Sequence, residues 1–550
     1  MIPPRFTPKL IAEYMQRGFW DDKLVADHVD ENARNYPDKE ALVDSRYRLT
    51  WSEVSRLSNR IALGLLDLGF RKDDLILEQL PNCAELYLLM VAGEKAGIIV
   101  VNAQPTFRHY EISAIAKRVK AKGIVIPQSY RNFDYFNMIN EIRPELPQME
   151  HVFVTGTDVP EGATSFDSLM QNNLESKYAP DYLQQTRNKP YEVWRVVCTS
   201  GTTGVPKLGS WETCPVKSAG RNLVRDWELG PDDILGAFYN IIGGGLSIAS
   251  VYSVALAAAK LVLQERFTVE GFCQLVESER ITVAGIVPPE VAQLLEYPDL
   301  DKYDLGSLRL LAHSTTLLPS ELALRAEKRL DCKYVQTYGS ADCGALAHNS
   351  ASDSQAIRVG TVGRPYDGGE VKIINDQGKP VAPGEYGEIL IKSPTTISGY
   401  FDEPELNEQL CRDGWLCTGN EGKVDEYGNI IVMGRRRDVI IRGGQNIYPK
   451  DIEDLLLEHP SVREIAVVRM PDPVMGEKAC AFIATMPGET ITFDEVIEFL
   501  KSRRLASFKL PERVELRGKL PRLPAEEKMD VISLEKEIAQ LVEEEQRSIM

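Results

Sequence analysis

The feature that most constrains this chain is a strand–helix–strand pattern of short apolar runs. Segments 75–79 and 98–102 read as buried strands flanking a helical stretch at 83–96. Strands joined by a crossover helix of that length must run parallel, and a parallel sheet needs helices on both faces. The pattern recurs at 123–127, 152–155, 259–264, 282–287 and 308–311, with an earlier strand at 41–44 and an amphipathic helix at 61–68 ending at Gly69. From 371 to 392 the character changes to short strands with turns at Asn375–Gly378 and Pro383–Gly387, as in a small β-barrel or antiparallel sheet. Beyond about 434–438, helices at 449–459, 493–503 and 533–545 alternate with short strands. The expected fold is therefore α/β, with a large N-terminal domain of layered α/β subdomains plus a small β-barrel (1–436) and a small α+β C-terminal domain (437–550).

Within this frame, 199–207 follows an apolar run at 194–198 and combines Gly201 and Gly204 with the hydroxyls of Thr199, Ser200, Thr202 and Thr203 and with Lys207. Glycine lets backbone amides converge closely on phosphate oxygens, and the hydroxyls and lysine add donors. The segment lacks the GxxxxGK[ST] spacing of a P-loop, because Lys207 follows Pro206 and precedes Leu208. By itself, such a loop reads equally as a flexible surface turn.

Charge and composition narrow the classes. With 63 Lys and Arg against 81 Asp and Glu, the formal charge of −18 opposes extended contact with a nucleic-acid backbone. The 9 cysteines show no CxxC spacing and the 6 histidines are scattered, so metal clusters and a disulfide framework are not expected and a reducing, cytoplasmic setting fits. No signal-peptide core opens the sequence. Residues 241–259 run 19 positions without a charge, near the length of a membrane span, but three glycines and three serines argue for a buried loop and helix.

Taken together, TSGTTGVPK at 199–207, QTYGSAD at 336–342, GEYGEI at 384–389, GWLCTGN at 414–420, GRRRDVIIRGGQNIYP at 434–449 and LPRLPAEEKMD at 520–530 resemble the adenylate-forming superfamily. That superfamily comprises acyl- and aryl-CoA synthetases, peptide-synthetase adenylation domains and beetle luciferases, and these stretches follow its order over nearly the whole chain. The resemblance implies that a carboxylate attacks the α-phosphate of ATP, expels pyrophosphate and forms an acyl-adenylate, from which a thiol takes the acyl group. It assigns the β- and γ-phosphates to the 199–207 loop and Mg2+ to Asp342. Lys207, Asp342 and Lys528 become the catalytic candidates, Lys528 as a mobile lysine serving the carboxylate and α-phosphate. The nucleotide side would also comprise Ser314, Thr315 and Thr316, then Tyr338, Gly339 and Ser340, with Asn420 and Arg435 on the ribose. Arg437 falls at the hinge, and Gly443 and Gly444 border a CoA tunnel. Read without the resemblance, Lys528 is a solvated charge, Tyr338 a core residue and Gly443–Gly444 a hairpin turn.

Several positions depart from the family pattern. Asn420 stands for an aspartate, Ala341 lacks a threonine hydroxyl, Ser314–Thr316 replaces a smaller loop, and Pro524–Glu527 replaces a shorter turn before Lys528. The acyl pocket is expected around Tyr239, Asn240, Gly245 and Gly339, where the Tyr–Asn pair resembles the His–Asn pair of aryl-acid-activating enzymes. These residues imply a cyclic acid, aromatic or alicyclic, with ATP/AMP, Mg2+ and coenzyme A as co-reactants. The chain then reads as an acid:CoA ligase, which chemistry equally allows to run backwards and make ATP. Two alternatives stand beside it, an aryl-acid enzyme delivering to a carrier protein and a non-catalytic adenylate-binding relative. No nucleic acid or membrane span is expected as a partner, and a homodimer is compatible with the sequence.

Overall fold

The computed structural model describes residues 3, 5–198, 206–314, 318–341, 343–442, 445–472, 475–503, 505, 507–523 and 528–549. Among them, the strands form four large sheets and one short hairpin. Two parallel-rich sheets make the body of the large N-terminal domain. One is nine-stranded, in the order 364–365, 344–348, 333–340, 310–313, 283–286, 234–237, 260–263, 40–43, 48–50. The other is eight-stranded, in the order 399–400, 208–212, 193–198, 99–102, 75–78, 123–126, 151–154, 164–165. In the second, Leu75–Glu78 pairs in parallel with both Ile99–Asn102 and Gly123–Ile126, as the crossover pattern requires.

The crossover helix Ala84–Ala96 is buried along its whole length, including Glu85, Glu94 and Lys95. A helix apolar all round has no face for water. It sits in one core with Trp51–Asp67, Thr213–Asp226 and the 241–259 region. That region is two short helices flanking a π-helical turn at Ile248–Ser253, all but one of its residues from 245 to 259 buried. Its uncharged length thus serves a core, and no described helix is long and apolar enough to cross a membrane.

A five-stranded antiparallel sheet follows, formed by 370–374, 387–392, 411–412, 415–424 and 430–435. The smaller C-terminal domain has its own sheet of 440–442, 445–447, 462–472, 476–485 and 513–516, covered by helices Pro449–Leu456, Phe493–Ser502 and Val531–Ile549. Its cores on the two faces of the 462–485 hairpin are separate from those of the large domain.

One sequence reading needs correcting. The run 194–198 is not wholly apolar, because Arg195 lies in it and is fully buried.

Candidate active site

The site candidates cluster where the nine-stranded sheet, the eight-stranded sheet and the five-stranded sheet meet. Strand Val193–Cys198 and its antiparallel neighbour Leu208–Glu212 pair with Cys198 opposite Leu208, so both ends of the 199–207 stretch are anchored in a sheet. Thr199, Ser200, Gly201, Thr202, Thr203 and Gly204 themselves lie outside the described residues. Lys207 is exposed, its Nζ 5.0 Å from the ring centre of Tyr400 on the neighbouring edge strand.

Residues from distant segments converge beside it. Tyr338, on strand Lys333–Ser340, donates its hydroxyl to Asn420 Oδ1 at 2.9 Å, joining the nine-stranded sheet to the five-stranded one. Asn420 is the register partner of Arg435, and its Nδ2 donates to the Gly434 carbonyl at 3.3 Å. Two nucleotide-side candidates that lie 82 positions apart in sequence are therefore hydrogen-bonded, and a third, Arg435, stands opposite Asn420 on the neighbouring strand. Gly339 and Ser340 continue the Tyr338 strand and pair with Ala345 and Gly344. Trp211 Nε1 holds the Ala341 carbonyl at 2.9 Å, which ties the turn before Asp342 to the strand that follows Lys207. Ser314 is buried at the end of strand Leu310–His313. Thr315, Thr316, Asp342, Gly443 and Gly444 lie outside the described residues, as does the side chain of Arg437, whose backbone forms a tight turn at Arg436–Asp438. Lys528 is half-buried, and its carbonyl accepts from the Leu523 amide at 2.7 Å.

On the acid side, Tyr239 is buried with its hydroxyl donating to the Leu246 carbonyl at 2.6 Å. Desolvation holds that phenol well above its ordinary pKa, so Tyr239 is a neutral wall with its donor already used. The ring lies so close over Gly285 that any side chain there would collide with it. Gly245 is pressed equally tightly against Thr337 Oγ1 and Ser314, which brings the acid-side loop into contact with the strand carrying Tyr338. Asn240 half-satisfies itself locally: Oδ1 accepts from the Ile242 amide at 3.2 Å and Nδ2 donates to Gln104 Oε1 at 3.2 Å.

Sequence reasoning passed over the polar groups beneath this loop. Asn82 Nδ2 donates to the Tyr239 carbonyl at 2.6 Å while its Oδ1 accepts from the Ile241 amide at 3.1 Å. Arg195, Asn102 and Glu78 lie beside it, each fully buried. An arginine in an otherwise apolar strand was the one available signal, since a charge is buried only where partners await it.

For a metal, the described residues contain no cluster of three or more His, Cys, Asp or Glu side chains. Mg2+ bound to polyphosphate takes one or two protein carboxylates, and the candidate for it, Asp342, lies outside the described residues.

The AMP-binding enzyme model matches residues 29–401, and the AMP-binding enzyme C-terminal domain model matches 451–528. The chain belongs to the AMP-binding enzyme family. It is 30% identical over 536 residues, 95% of each chain, to 2-hydroxy-7-methoxy-5-methyl-1-naphthoate–CoA ligase of Streptomyces carzinostaticus. It is also 30% identical over 526 residues to medium-chain fatty-acid–CoA ligase of Escherichia coli K12, covering 94% of this chain and 91% of the other. A vibriobactin-specific 2,3-dihydroxybenzoate-AMP ligase of Vibrio cholerae serotype O1 is 29% identical over 535 residues, with 94% and 95% covered. The fold matches the structure of the anthranilate CoA ligase AuaEII in complex with anthranoyl-AMP, at a TM-score of 0.85 and 23% identity over 95% of this chain and 98% of that one. As a member of the AMP-binding family, the protein is an adenylate-forming enzyme that activates a small-molecule acid with ATP.

Proposed function

We propose that the protein is an AMP-forming acid:CoA ligase for a cyclic carboxylic acid, aromatic or alicyclic. The observation that carries this reading is the Tyr338–Asn420 hydrogen bond, with Arg435 opposite Asn420 and with Tyr338 on a strand that the Tyr239–Gly245 loop touches at Thr337. The similarity to a naphthoate–CoA ligase supports a ring acid and CoA as acceptor.

In this mechanism Tyr338 offers its ring to adenine, and Asn420 with Arg435 holds the ribose. Residues 199–207 cradle the β- and γ-phosphates, with Lys207 supplying positive charge. Asp342 is the candidate carboxylate for Mg2+, which would partly neutralise the phosphates. Lys528 balances charge on the carboxylate and α-phosphate as the carboxylate oxygen bonds to phosphorus and pyrophosphate leaves. Positioning and electrostatic stabilisation do most of the work, because the chemistry concentrates negative charge. The small domain then turns about Arg437, and the CoA thiol reaches the adenylate past Gly443 and Gly444, displacing AMP. The reaction is reversible, so the same residues serve ATP formation from acyl-CoA, AMP and pyrophosphate.

A second reading sends the acyl group to a carrier protein, and the dihydroxybenzoate-AMP ligase among the relatives favours it. The test is pyrophosphate release from ATP and magnesium over a panel of benzoate, hydroxybenzoates, cyclohexane and cyclohexene carboxylates and linear acids, each with and without CoA. CoA-dependent turnover of a ring acid is the expected result. Stoichiometric adenylate with no transfer to CoA would move the acceptor to a carrier protein, and preference for linear acids would overturn the ring-acid assignment.

A further inference from the structure

Strand alternation places Arg195 and Val197 on one face of the eight-stranded sheet, together with their partners Val100 and Asn102 and, one strand further, Ile76 and Glu78. The apolar members of this face belong to the core that includes the 241–259 region. The polar members form a chain of hydrogen bonds through that core. Asn102 Nδ2 donates to Glu78 Oε1 at 2.6 Å, Arg195 Nε donates to Asn102 Oδ1 at 2.8 Å, and Arg195 Nη2 donates to the Ile242 carbonyl at 2.6 Å. Arg195 Nη1 reaches the Tyr252 hydroxyl at 3.3 Å, and the guanidinium lies between the rings of Trp194 and Trp211, 5.4 and 5.5 Å from their centres.

A fully buried guanidinium is costly to place, and a strand that needed only packing would carry an apolar residue at that position. What this one reaches is a carbonyl in the acid-side loop. Ile242's amide is held by Asn240 Oδ1, and the carbonyl and amide of Tyr239 and Ile241 are held by Asn82. Arg195 closes that set from the opposite side. It also sits four residues before Thr199 on the strand leading into the phosphate-loop candidate, so one strand carries the phosphate loop at its end and grips the acid-side loop from its middle.

We propose that Arg195 is a positioning residue for the acid: through the Ile242 carbonyl it fixes the Tyr239–Gly245 loop, with Asn102 and Glu78 orienting its guanidinium. This rests on the reading of that loop as the wall of the acid site. An arginine forks where a lysine points, so Arg195→Lys keeps the charge but cannot serve Asn102 and Ile242 together.

The test compares Arg195→Lys and Tyr252→Phe with the wild type in two measurements. Hydrogen–deuterium exchange, read without any acid present, is expected to speed up at least tenfold across residues 241–247 in Arg195→Lys and two- to threefold in Tyr252→Phe. The strands 75–78 and 99–102 should be unchanged. Steady-state kinetics on an acid the wild type uses is expected to show a KM for the acid raised about tenfold and a KM for ATP within twofold. Unchanged exchange at 241–247, or an equal rise across the whole sheet, overturns the inference, as does a faster-exchanging loop with an unaltered acid KM. If Arg195→Lys does not fold, Tyr252→Phe decides by the same criteria. Failure of the functional reading shows separately, as a wild-type enzyme that turns over no ring acid while its loop exchange still depends on Arg195.

Discussion

The interior beneath the 239–245 loop and the contact between the large and small domains both bury polar bonds and differ in how those bonds are linked. Inside, Glu78, Asn102, Arg195 and Asn82 are buried and bonded to one another or to backbone atoms, so no single group can move without leaving a partner unsatisfied. At the domain contact, Tyr448 donates to Glu421 Oε2 at 3.1 Å, its ring lies 5.0 Å from that of Tyr386, and Lys423 Nζ sits 4.6 Å from the Tyr386 ring centre. Beside the turn at 436–438, Arg436 pairs with Glu388 at 2.8 Å and with the exposed Asp376 at 2.5 Å. The exposed Arg436–Asp376 pair, which lies within the large domain, and the buried phenol bond each contribute on the order of 1 kcal/mol. Both regions bury polar bonds, Tyr448 and Glu421 included, and what sets the interior apart is that its bonds run as a continuous chain through Glu78, Asn102 and Arg195.

The largest effect that sharpens this contrast comes from the small domain's charge. Lys528→Met is expected to slow adenylate formation about 10²- to 10³-fold. On the proposed role its melting transition should move far less than its rate, because the charge acts on the substrates in the transition state. A comparable loss of stability would erase the distinction between delivered charge and scaffold.

The buried network should carry its own pH signature. Burial pushes Glu78 up to about 7, opposed by Asn102, the Leu80 amide and Arg195. With the folded value above the unfolded one, native Glu78 retains a proton that the unfolded chain has released. Its contribution to stability is therefore full below about pH 4.5 and is lost as pH rises through about 7. Urea unfolding of the wild type relative to Glu78→Gln should show that difference falling by up to ~3 kcal/mol between pH 4 and pH 8. A pH-independent difference would mean that Glu78 ionises alike in both states.

The smallest effect is expected at the domain contact. Tyr448→Phe removes the bond to Glu421 and should favour the separated arrangement by about 1 kcal/mol, a factor of about five. Faster proteolytic cleavage near residues 434–448, with an unaltered melt of the large domain, would report it. An unchanged cleavage rate would show that the bond to Glu421 does not hold the two domains together.

Much of this was legible in the chain itself, for a local reason. Strands at 75–78, 99–102 and 123–126 and the helix Ala84–Ala96 fall within a residue or two of where apolar periodicity puts them, because each periodicity is set by the segment's own backbone geometry. The 241–259 segment was likewise readable as core once its glycines and serines were weighed against its length. The sequence singles out Tyr239 and Asn240 as candidates for an acid pocket, but not the capture of the Tyr239 hydroxyl by Leu246 or of the Asn240 amide by Ile242 and Gln104. Arg195 was passed over because a single charge in a strand carries no periodic signal.

What the sequence by itself determined is the order of motifs, the α/β class and the chemistry expected of adenylate formation, since these reside in residue types and short spacings. Only the tertiary structure decided that Tyr338 meets Asn420, that Trp211 holds the Ala341 carbonyl and that Arg195 grips Ile242. Those pairs lie 82, 130 and 47 residues apart. Whether such groups touch depends on sheet order and on how two sheets pack across a shared helix, which arises from the summed burial of the whole core and is written in no single stretch of it.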